Sequence, residues 1–375
     1  MAYLGEDIPK LGFGLMRLPM KGAEVDIDQT KEMVDLFMES GFTYFDTAYG
    51  YIDGKSEEAA KTAIVDRYPR DKFQFATKLP AWAGPTTAEE AKAMLATSLK
   101  RTGAGYFDFY LLHNLGATRT KSFDDFGIWD YVREQKEKGL IRHVGFSFHD
   151  RADVLDEVLT KHPEMEFVQL QINYADWENG NVQSRKCYET ARKHGKAVVI
   201  MEPVKGGMLA DNLAASVKAV FDKAATGASY ASWAIRFAAS LDGVITVLSG
   251  MSTLDQMKDN VSYMKDFKPL GDKERAIVDE AREVLASVPS IPCTACAYCV
   301  AGCPNKIVIP QIFEAVNQEM VYGDKQSAQF HYSWETKFGG KASDCISCGQ
   351  CEEACPQQIK IVELLKEAAA KFEAE

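Results

Sequence analysis

The sequence predicts an α/β protein in which a (β/α)8 barrel, also called a TIM barrel, is followed by a smaller domain. Short apolar strands alternate with helical segments over the first 286 residues. Two prolines, Pro289 and Pro292, interrupt this alternation and mark a linker. Eight of the 9 cysteines follow that linker. We therefore expect a barrel domain over residues 1–286 and a cysteine-rich domain over residues 287–375.

Eight short runs of β-branched and aromatic residues predict the strands of the barrel. They cover residues 10–14, 42–45, 73–77, 106–112, 141–145, 167–171, 197–201 and 244–248. Eight strands that alternate with helices over ~250 residues are typical of a closed parallel barrel. The alternative is an open doubly wound sheet, but no glycine-rich phosphate fingerprint follows the first strand.

Helical patterns fill the gaps between these strands. Residues 28–39 place apolar side chains on one side, and Gly41 follows as a stop signal. Thr87 begins a capping box that opens another helix. Two further segments, 126–138 and 182–194, each end at a glycine. These signals support the alternation of strands and helices.

The cysteines after the linker form two runs with one spacing, C-x2-C-x2-C-x3-C-P. The first run is Cys293, Cys296, Cys299 and Cys303, and the second is Cys345, Cys348, Cys351 and Cys355. Three cysteines two apart wrap three corners of a 4Fe–4S cubane, while the fourth, before the proline, ligates the other cluster. One cluster would take Cys293, Cys296, Cys299 and Cys355, and the other would take Cys345, Cys348, Cys351 and Cys303.

The competing interpretation of these cysteines is zinc, which prefers tetrahedral sites built from separated cysteine pairs. A doubled run with a proline after each fourth cysteine is hard to explain for zinc. The segment from about residue 290 to 358 resembles two-cluster bacterial ferredoxins, except that about 40 residues separate the runs. We therefore expect a ferredoxin-like α+β domain that binds two 4Fe–4S clusters.

Charge and cysteine distribution limit the classes of partner. The formal net charge is −11, whereas nucleic acids and anionic membranes require a basic surface. No apolar run reaches the ~20 residues that cross a bilayer, and the N-terminal residues lack the pattern of a secretory signal. Cysteines crowded into one region fit a metal domain in a reducing compartment. We expect a cytoplasmic protein with no nucleic-acid or membrane partner.

Four ionisable residues are predicted at the carboxyl ends of successive strands, where barrels carry their chemistry. Asp46 ends the second strand, and Tyr51 lies five residues further in the same loop. Lys78 ends the third strand and His113 the fourth. Since successive strands of a barrel are neighbours, these side chains should converge on one arc of its mouth.

This group suits the reduction of a carbonyl. Tyrosine has a pKa of about 10, so alone it donates its proton poorly at neutral pH. A neighbouring Lys78 ammonium would stabilise the phenolate and lower that pKa, and Asp46 would hold the lysine in place. His113 would share the carbonyl oxygen and position the proton.

The same residues resemble the motifs of the aldo–keto reductase family. The matching pieces are residues 45–51, 76–78, 110–113, 144–147 and 173–174, within a resemblance that covers about residues 8–270. It implies that Tyr51 is the general acid and that His113 lies at the substrate carbonyl. Lys78 and Asp46 would modulate Tyr51, and the substrate would be a small carbonyl compound or alcohol.

The resemblance also implies an extended nicotinamide dinucleotide, NADP or NAD, across the barrel mouth. Matching positions are Ser147 and Gln171 near the carboxamide; Pro203, Lys205, Gly206 and Gly207 at the pyrophosphate; and Ser249, Gly250, Gln256 and Asn260 at the adenosine end. The sequence departs from the family at Phe148, where asparagine is usual. The basic residues that grip a 2′-phosphate are missing around Gly250, so the choice between NADP and NAD stays open.

Three hypotheses on function follow from the two halves together. The first is an NAD(P)-dependent carbonyl reductase whose clusters are structural or sense redox state. The second is a ferredoxin-linked oxidoreductase in which the clusters feed electrons to the substrate directly or to a bound flavin, with a ferredoxin or other electron carrier as partner. A hydride carries two electrons and each cubane passes one, and flavin is the common group that splits the pair. The third is a non-catalytic nucleotide-sensing or partner-binding module on a barrel scaffold.

Overall fold

The computed structural model describes residues 3–180, 182–210, 213–224, 227–322, 325–337 and 339–374. The strands are β1 Leu11–Gly14, β2 Met20–Lys21, β3 Glu24–Val25, β4 Tyr44–Asp46, β5 Gln74–Leu79, β6 Phe107–Leu115, β7 Ile141–Phe148, β8 Phe167–Gln171, β9 Ala197–Met201 and β10 Val244–Ser249. All but β2 and β3, which form an antiparallel ribbon, close into a parallel barrel in the order β1-β10-β9-β8-β7-β6-β5-β4. The closed eight-stranded barrel confirms the predicted fold class.

Helices connect these strands and also form most of the chain after β10. They are α1 Ile27–Glu39, α2 Lys55–Ala60, α3 Ala88–Thr102, α4 Thr120–Asp125, α5 Ile128–Glu137, α6 Ala152–Lys161, α7 Ser184–Lys193, α8 Ala215–Lys223, α9 Tyr230–Ala239, α10 Leu254–Met264, α11 Asp272–Ala286, α12 Tyr298–Ala301, α13 Ile309–Tyr322, α14 Lys325–Glu335, α15 Gln350–Ala354 and α16 Ile361–Phe372. Over the described ranges, no helix is both long and apolar enough to cross a membrane.

Local signals explain where α3 begins and ends. The Thr87 hydroxyl accepts a hydrogen bond from the Glu90 amide at 3.2 Å, as the capping box predicts. Gly103 follows the helix with a φ of 65°, in the left-handed region where glycine is favoured.

Inside the barrel, alternating strand residues such as Tyr44, Phe109 and Phe167 form a buried core. The open mouth at the carboxyl ends of the strands is therefore built on a rigid base.

Contacts within the chain define two compact units. The barrel unit contains residues 1–179, 183–203 and 231–275, and the cysteine unit contains residues 180–182, 204–230 and 276–375. The cysteine unit thus includes a segment that follows β9 as well as the region after the linker. The sequence-based boundary at residue 286 did not anticipate this second segment.

The cysteine unit has a helical core of its own. Its buried side chains include Ile312 and Phe313 of α13, Ala328 of α14 and Leu365 of α16, and Cys299 and Cys351 belong to the same core. In the described part of this unit, the β-structure consists of one isolated bridge between Ile307 and Gly340.

A half-buried carboxylate links β7, β8 and α5 in the barrel unit. Glu166, just before β8, accepts hydrogen bonds from the Val144 amide at 2.9 Å and from Lys136 Nζ. His143 Nδ1 lies 2.9 Å from its other oxygen. Burial alone would raise the pKa of Glu166, but these hydrogen bonds outweigh it and lower the pKa to about 2. The carboxylate therefore stabilises the fold in its ionised form.

Replacing Glu166 with Gln is expected to lower the free energy of unfolding by about 1–3 kcal/mol at pH 7. Because the folded pKa is depressed, this stabilisation is present above the unfolded pKa near 4.5 and is lost only as the pH falls towards about 2. Denaturant unfolding should therefore give the same loss at pH 7 and pH 5.5. Glu137→Gln, at an exposed site that ends α5, is the control and should change little. A loss that already shrinks at pH 5.5 would contradict this assignment.

Candidate functional site

The four ionisable residues predicted at the barrel mouth lie together. Asp46 ends β4, Lys78 lies in β5 and His113 lies in β6, which are adjacent strands. Tyr51 begins a short 3-10 turn, Tyr51–Gly54, that follows β4. Their roles in catalysis stay predictions, but their arrangement can now be described.

A buried ion pair forms the floor of this site. Lys78 Nζ donates to Asp46 Oδ1 and, at 2.8 Å, to the Thr47 carbonyl oxygen. Lys78 is only 1% exposed and Asp46 only 2%. Burial raises the pKa of Asp46 and lowers the pKa of Lys78, and in both cases the opposite charge of the partner works against the shift. Neither charge is stable at this depth without the other.

Tyr51 and His113 lie on this ion pair. Lys78 Nζ is 4.9 Å from the centre of the Tyr51 ring, and the centres of the Tyr51 and His113 rings are 5.8 Å apart at 79°. Burial holds the pKa of His113 well below its ordinary value, and the positive charge of Lys78 lowers it further. His113 is therefore a neutral imidazole at physiological pH, able to donate a hydrogen bond.

A further ion pair, between buried Glu57 and partly exposed Arg101, supports the loop of Tyr51 and was not predicted from the sequence. Glu57, which is fully buried, accepts hydrogen bonds from Thr77 Oγ1 at 2.8 Å and from Arg101 Nη1 at 3.2 Å. Arg101 Nη1 also donates to the Tyr49 carbonyl oxygen at 2.9 Å. Glu57 lies on a charged helix, where a solvated side chain is the ordinary expectation. No signal in the sequence separates it from its neighbour Glu58.

The residues predicted near a nicotinamide carboxamide lie at the carboxyl ends of two neighbouring strands, Ser147 in β7 and Gln171 in β8. The Ser147 hydroxyl accepts a hydrogen bond from the Asn114 amide at 2.8 Å, so its own proton stays available for donation. Gln171 Nε2 donates to Asp176 Oδ2 at 2.9 Å. His149 hydrogen-bonds with Gln171, and burial, above all, lowers the pKa of His149 to about 3. His149 was also missed by the sequence reasoning.

Asn114 has an unusual environment for a polar side chain. It is 1% exposed, and neither amide atom of its side chain has a hydrogen-bond partner in the part of the chain that the structure describes. Its φ is 60°, and the pairing of β6 with β7 shifts register between Leu112 and Leu115. Bulges of this kind often re-aim side chains next to active sites. Buried amides are normally satisfied, so Asn114 suits contact with a bound molecule or water.

The residues after β10 are brought together by their own hydrogen bonds. Asn260 Nδ2 donates to Ser249 Oγ at 2.6 Å, and Gln256 Oε1 accepts from the Ser252 amide at 2.8 Å. A side chain built at Gly250 would lie 3.4 Å from Arg17 Cδ. The stem of Arg17, from the turn after β1, therefore borders the predicted adenosine end, and its guanidinium lies 3.9 Å from Glu202 Oε1.

The residues predicted at the pyrophosphate divide between the two units. Pro203 closes a segment of the barrel unit, while Lys205, Gly206 and Gly207 belong to the cysteine unit. Lys205 is 4% exposed, and its Nζ donates to Gln357 Oε1 at 3.0 Å. A side-chain carbon at Gly206 would lie 2.5 Å from the Thr294 carbonyl oxygen. The loop of Lys205 and Gly206 therefore contacts Thr294 in the first cysteine run and Gln357 just after the second.

The two cysteine runs share one backbone conformation. Ala295 and Ser347, each two residues after the first cysteine of its run, have φ values of 52° and 57°. Ala297 and Gly349, each one residue after the second cysteine, have φ values of 61° and 79°. Left-handed residues that are not glycine are strained and persist where the surroundings impose them. Such repeated turns form concavities of inward amide groups that suit iron–sulfur clusters.

Each predicted set of four cysteines converges in the cysteine unit. Burial raises the pKa of the Cys299 thiol, and the negative charges of three nearby cysteine thiolates raise it further. These three are Cys296, Cys293 and Cys355, the other members of the first set. The second set lines one cavity together with apolar residues; these four are Cys303, Cys345, Cys348 and Cys351. The fourth cysteine of each run thus lies with the first three of the other run.

The chemistry of the donor sets bears on the two interpretations of these cysteines. A single zinc takes four ligands about 2.3 Å from one point, whereas a cubane takes one thiolate at each of its four corners. Each set supplies four cysteines, and the two runs share the same backbone turns. The residues present therefore fit 4Fe–4S clusters.

Comparisons with known proteins match two families to successive parts of the chain. The family described as "Aldo/keto reductase family" matches residues 10–283, and the family described as "4Fe-4S dicluster domain" matches residues 292–359. Among curated proteins, the chain is 24% identical to "Uncharacterized oxidoreductase YqkF" of Bacillus subtilis over 68% of this chain and 87% of that protein. It is 28% identical to an aldo-keto reductase of Mycolicibacterium smegmatis, of which the match spans 47%.

Solved structures show the same barrel. The holo form of the aldo-keto reductase AKR11C1 from Bacillus halodurans superposes with a TM-score of 0.60 at 24% identity, over 75% of this chain and 95% of that one. An aldo/keto reductase from Klebsiella pneumoniae, solved in complex with NADP and acetate, superposes with a TM-score of 0.58 at 22% identity, over 73% and 91%. At this level of identity, the likeness establishes the fold.

Proposed function

The chain belongs to the aldo/keto reductase family, and from this premise we propose that it is an NAD(P)-dependent oxidoreductase that reduces a carbonyl compound or oxidises the corresponding alcohol. One observation carries the proposal: the Lys78–Asp46 ion pair lies beneath Tyr51, with the ring of a neutral His113 beside it. The substrate is a small molecule. The cytoplasmic location stays a prediction.

The side chains of the barrel mouth have distinct tasks in this reaction. When bound, a reduced nicotinamide supplies a hydride to the carbonyl carbon. Tyr51 donates its hydroxyl proton to the carbonyl oxygen, so that one alcohol is formed for each hydride. The Lys78 ammonium stabilises the phenolate that remains, and Asp46 keeps Lys78 charged at this depth. His113 donates a hydrogen bond to the same oxygen and orients it for protonation.

The barrel unit offers contacts that fit a nicotinamide dinucleotide. The Ser147 hydroxyl keeps its proton for donation, and the Asn114 side-chain amide is buried without a partner among the described residues. Together they provide donors and an acceptor for a carboxamide where the usual asparagine is replaced by Phe148. The side-chain stem of Arg17 lies beside Gly250, and its guanidinium lies 3.9 Å from Glu202 Oε1. The choice between NADP and NAD stays open.

The test of the proposal is transfer of a labelled hydride. Iron-loaded protein is mixed with NADPH carrying deuterium at C4, or with the matching NADH, and with a panel of aldehydes, ketones and sugars. We expect the label in the alcohol product and one cofactor oxidised per alcohol. Tyr51→Phe, which removes only the acidic hydroxyl, should lower turnover by about a hundredfold. Full turnover by Tyr51→Phe would disprove the assigned role of Tyr51.

The second candidate function is ferredoxin-linked electron transfer, with or without a flavin. It is favoured by the exposure of Cys348 and of its neighbour Ile346, which is 63% exposed. An external electron carrier could approach the predicted cluster there. Reduction of the clusters by such a carrier, without label transfer from NADPH, would support this function. Nucleotide binding with neither reaction would leave the non-catalytic module.

A further inference from the structure

The two predicted clusters have different surroundings although their ligand spacing is identical. We call the cluster of Cys293, Cys296, Cys299 and Cys355 the inner cluster, and that of Cys303, Cys345, Cys348 and Cys351 the outer cluster. The outer set includes the exposed Cys348. Beside the inner set, Thr294 is 3% exposed, and Gln357, two residues after Cys355, is 4% exposed.

A lysine from a distant part of the sequence is buried beside the inner set. Lys205 Nζ donates to Gln357 Oε1 at 3.0 Å, across 152 residues of sequence. Its neighbour Gly206 has a φ of 64° and packs so closely that a side-chain carbon would lie 2.5 Å from the Thr294 carbonyl oxygen. The loop therefore contacts a residue between the first two inner cysteines and a residue just after the fourth. All these residues belong to the cysteine unit.

The contact of Lys205 with a pyrophosphate stays a prediction, and its burial and its bond to Gln357 suggest a second role. From these contacts, we propose that Lys205 is part of the electrostatic surroundings of the inner cluster and raises its reduction potential above that of the outer cluster. Reduction adds one electron, and so one negative charge, to a cluster. A nearby cation stabilises that charge, and it does so more strongly where protein excludes water. Electrons that enter at the exposed outer cluster would then pass to the inner one.

This inference rests on the iron–sulfur part of the proposed function and not on carbonyl reduction. Its test is a potentiometric titration of the iron-loaded full chain with dithionite, followed by electron paramagnetic resonance. In Lys205→Met, we expect the reduction equilibrium of one cluster to weaken about tenfold. Its midpoint potential should therefore fall by about 59 mV, the value for one electron. The other midpoint should stay at its wild-type value.

Matched variants separate charge from packing. Lys205→Gln is also neutral but retains a hydrogen-bond donor for Gln357, and it should shift the same midpoint. Lys205→Arg keeps the charge and should stay near wild type. Lys360→Met removes an exposed lysine five residues after Cys355 and should have little effect. In a Cys348→Ser background, which removes a ligand of the outer cluster, the shift caused by Lys205→Met should persist.

Three results would overturn the inference. They are unchanged midpoints in both neutral variants, an equal shift of both midpoints, and a shift confined to the outer cluster. Iron and sulfide analysis is done first on the wild type. If it finds no clusters, the iron–sulfur part of the proposed function fails together with this inference. If it finds two clusters and their midpoint potentials are unchanged in the Lys205 variants, only this inference fails.

Discussion

Lys78→Met is expected to damage both the fold and the activity. It removes the partner of Asp46, which is 2% exposed and would be left as a buried unpaired carboxylate. Breaking a buried ion pair in this way lowers the free energy of unfolding by about 3–5 kcal/mol. It also removes the charge that stabilises the Tyr51 phenolate, so kcat/KM should fall by about a thousandfold. Denaturant unfolding and NADPH oxidation measure the two effects.

A double variant separates these two losses. Lys78→Met with Asp46→Asn replaces the unpaired carboxylate by a neutral amide and should recover most of the stability. It should recover none of the activity, since the cation is still absent. Lys72→Met, at an exposed position just before β5, is the control and should change neither property. A stable and active Lys78→Met single variant would show that the buried pair has no catalytic role.

Cys351→Ser is expected to remove the outer cluster. Cys351 is 8% exposed and belongs both to the cavity of the outer set and to the core of the cysteine unit. Loss of one thiolate ligand should reduce iron and sulfide by about half, from about eight to about four atoms of each per chain. Because cluster binding is coupled to folding, the cysteine unit should also unfold at a lower denaturant concentration.

The ninth cysteine provides the matched control for that experiment. Cys187 lies in α7 of the barrel unit, where burial raises the pKa of its thiol to about 12. It belongs to neither run, so Cys187→Ser should keep the full iron and sulfide content. If Cys351→Ser also retained full iron with an unchanged resonance spectrum, the assignment of the outer ligands would be wrong.

The residues that the sequence identified best are those whose spacing is local. The cysteine runs and the order of strands are read from short windows, and the barrel and the two converging cysteine sets bear this out. The four mouth residues were found because parallel strands place their carboxyl ends at one edge. These features can be read from the sequence because strands, helices and cysteine runs each repeat at a fixed residue spacing.

The residues that the sequence missed depend on contacts between distant segments. The stem of Arg17 reaches Gly250, and Lys205, which the sequence assigned only to a pyrophosphate, reaches Gln357; more than a hundred residues separate each pair. The burial of Lys205 has no local signal, since lysine is ordinarily solvated. Asn114 depends on a register shift within β6 that no propensity predicts. Tertiary packing therefore decided which polar residues surround the sites.

The exchange of the fourth cysteine between the runs has a consequence for biosynthesis. The inner set combines Cys293, Cys296 and Cys299 with Cys355, so a nascent chain that ends before residue 355 lacks one ligand for it. The outer set likewise waits for Cys351, although Cys303 is made much earlier. If each set holds a cubane, as proposed, the ribosome must translate the first run and at least residue 351 before either cubane can obtain its full ligand set. Cluster insertion would then follow translation of this region and would not proceed run by run.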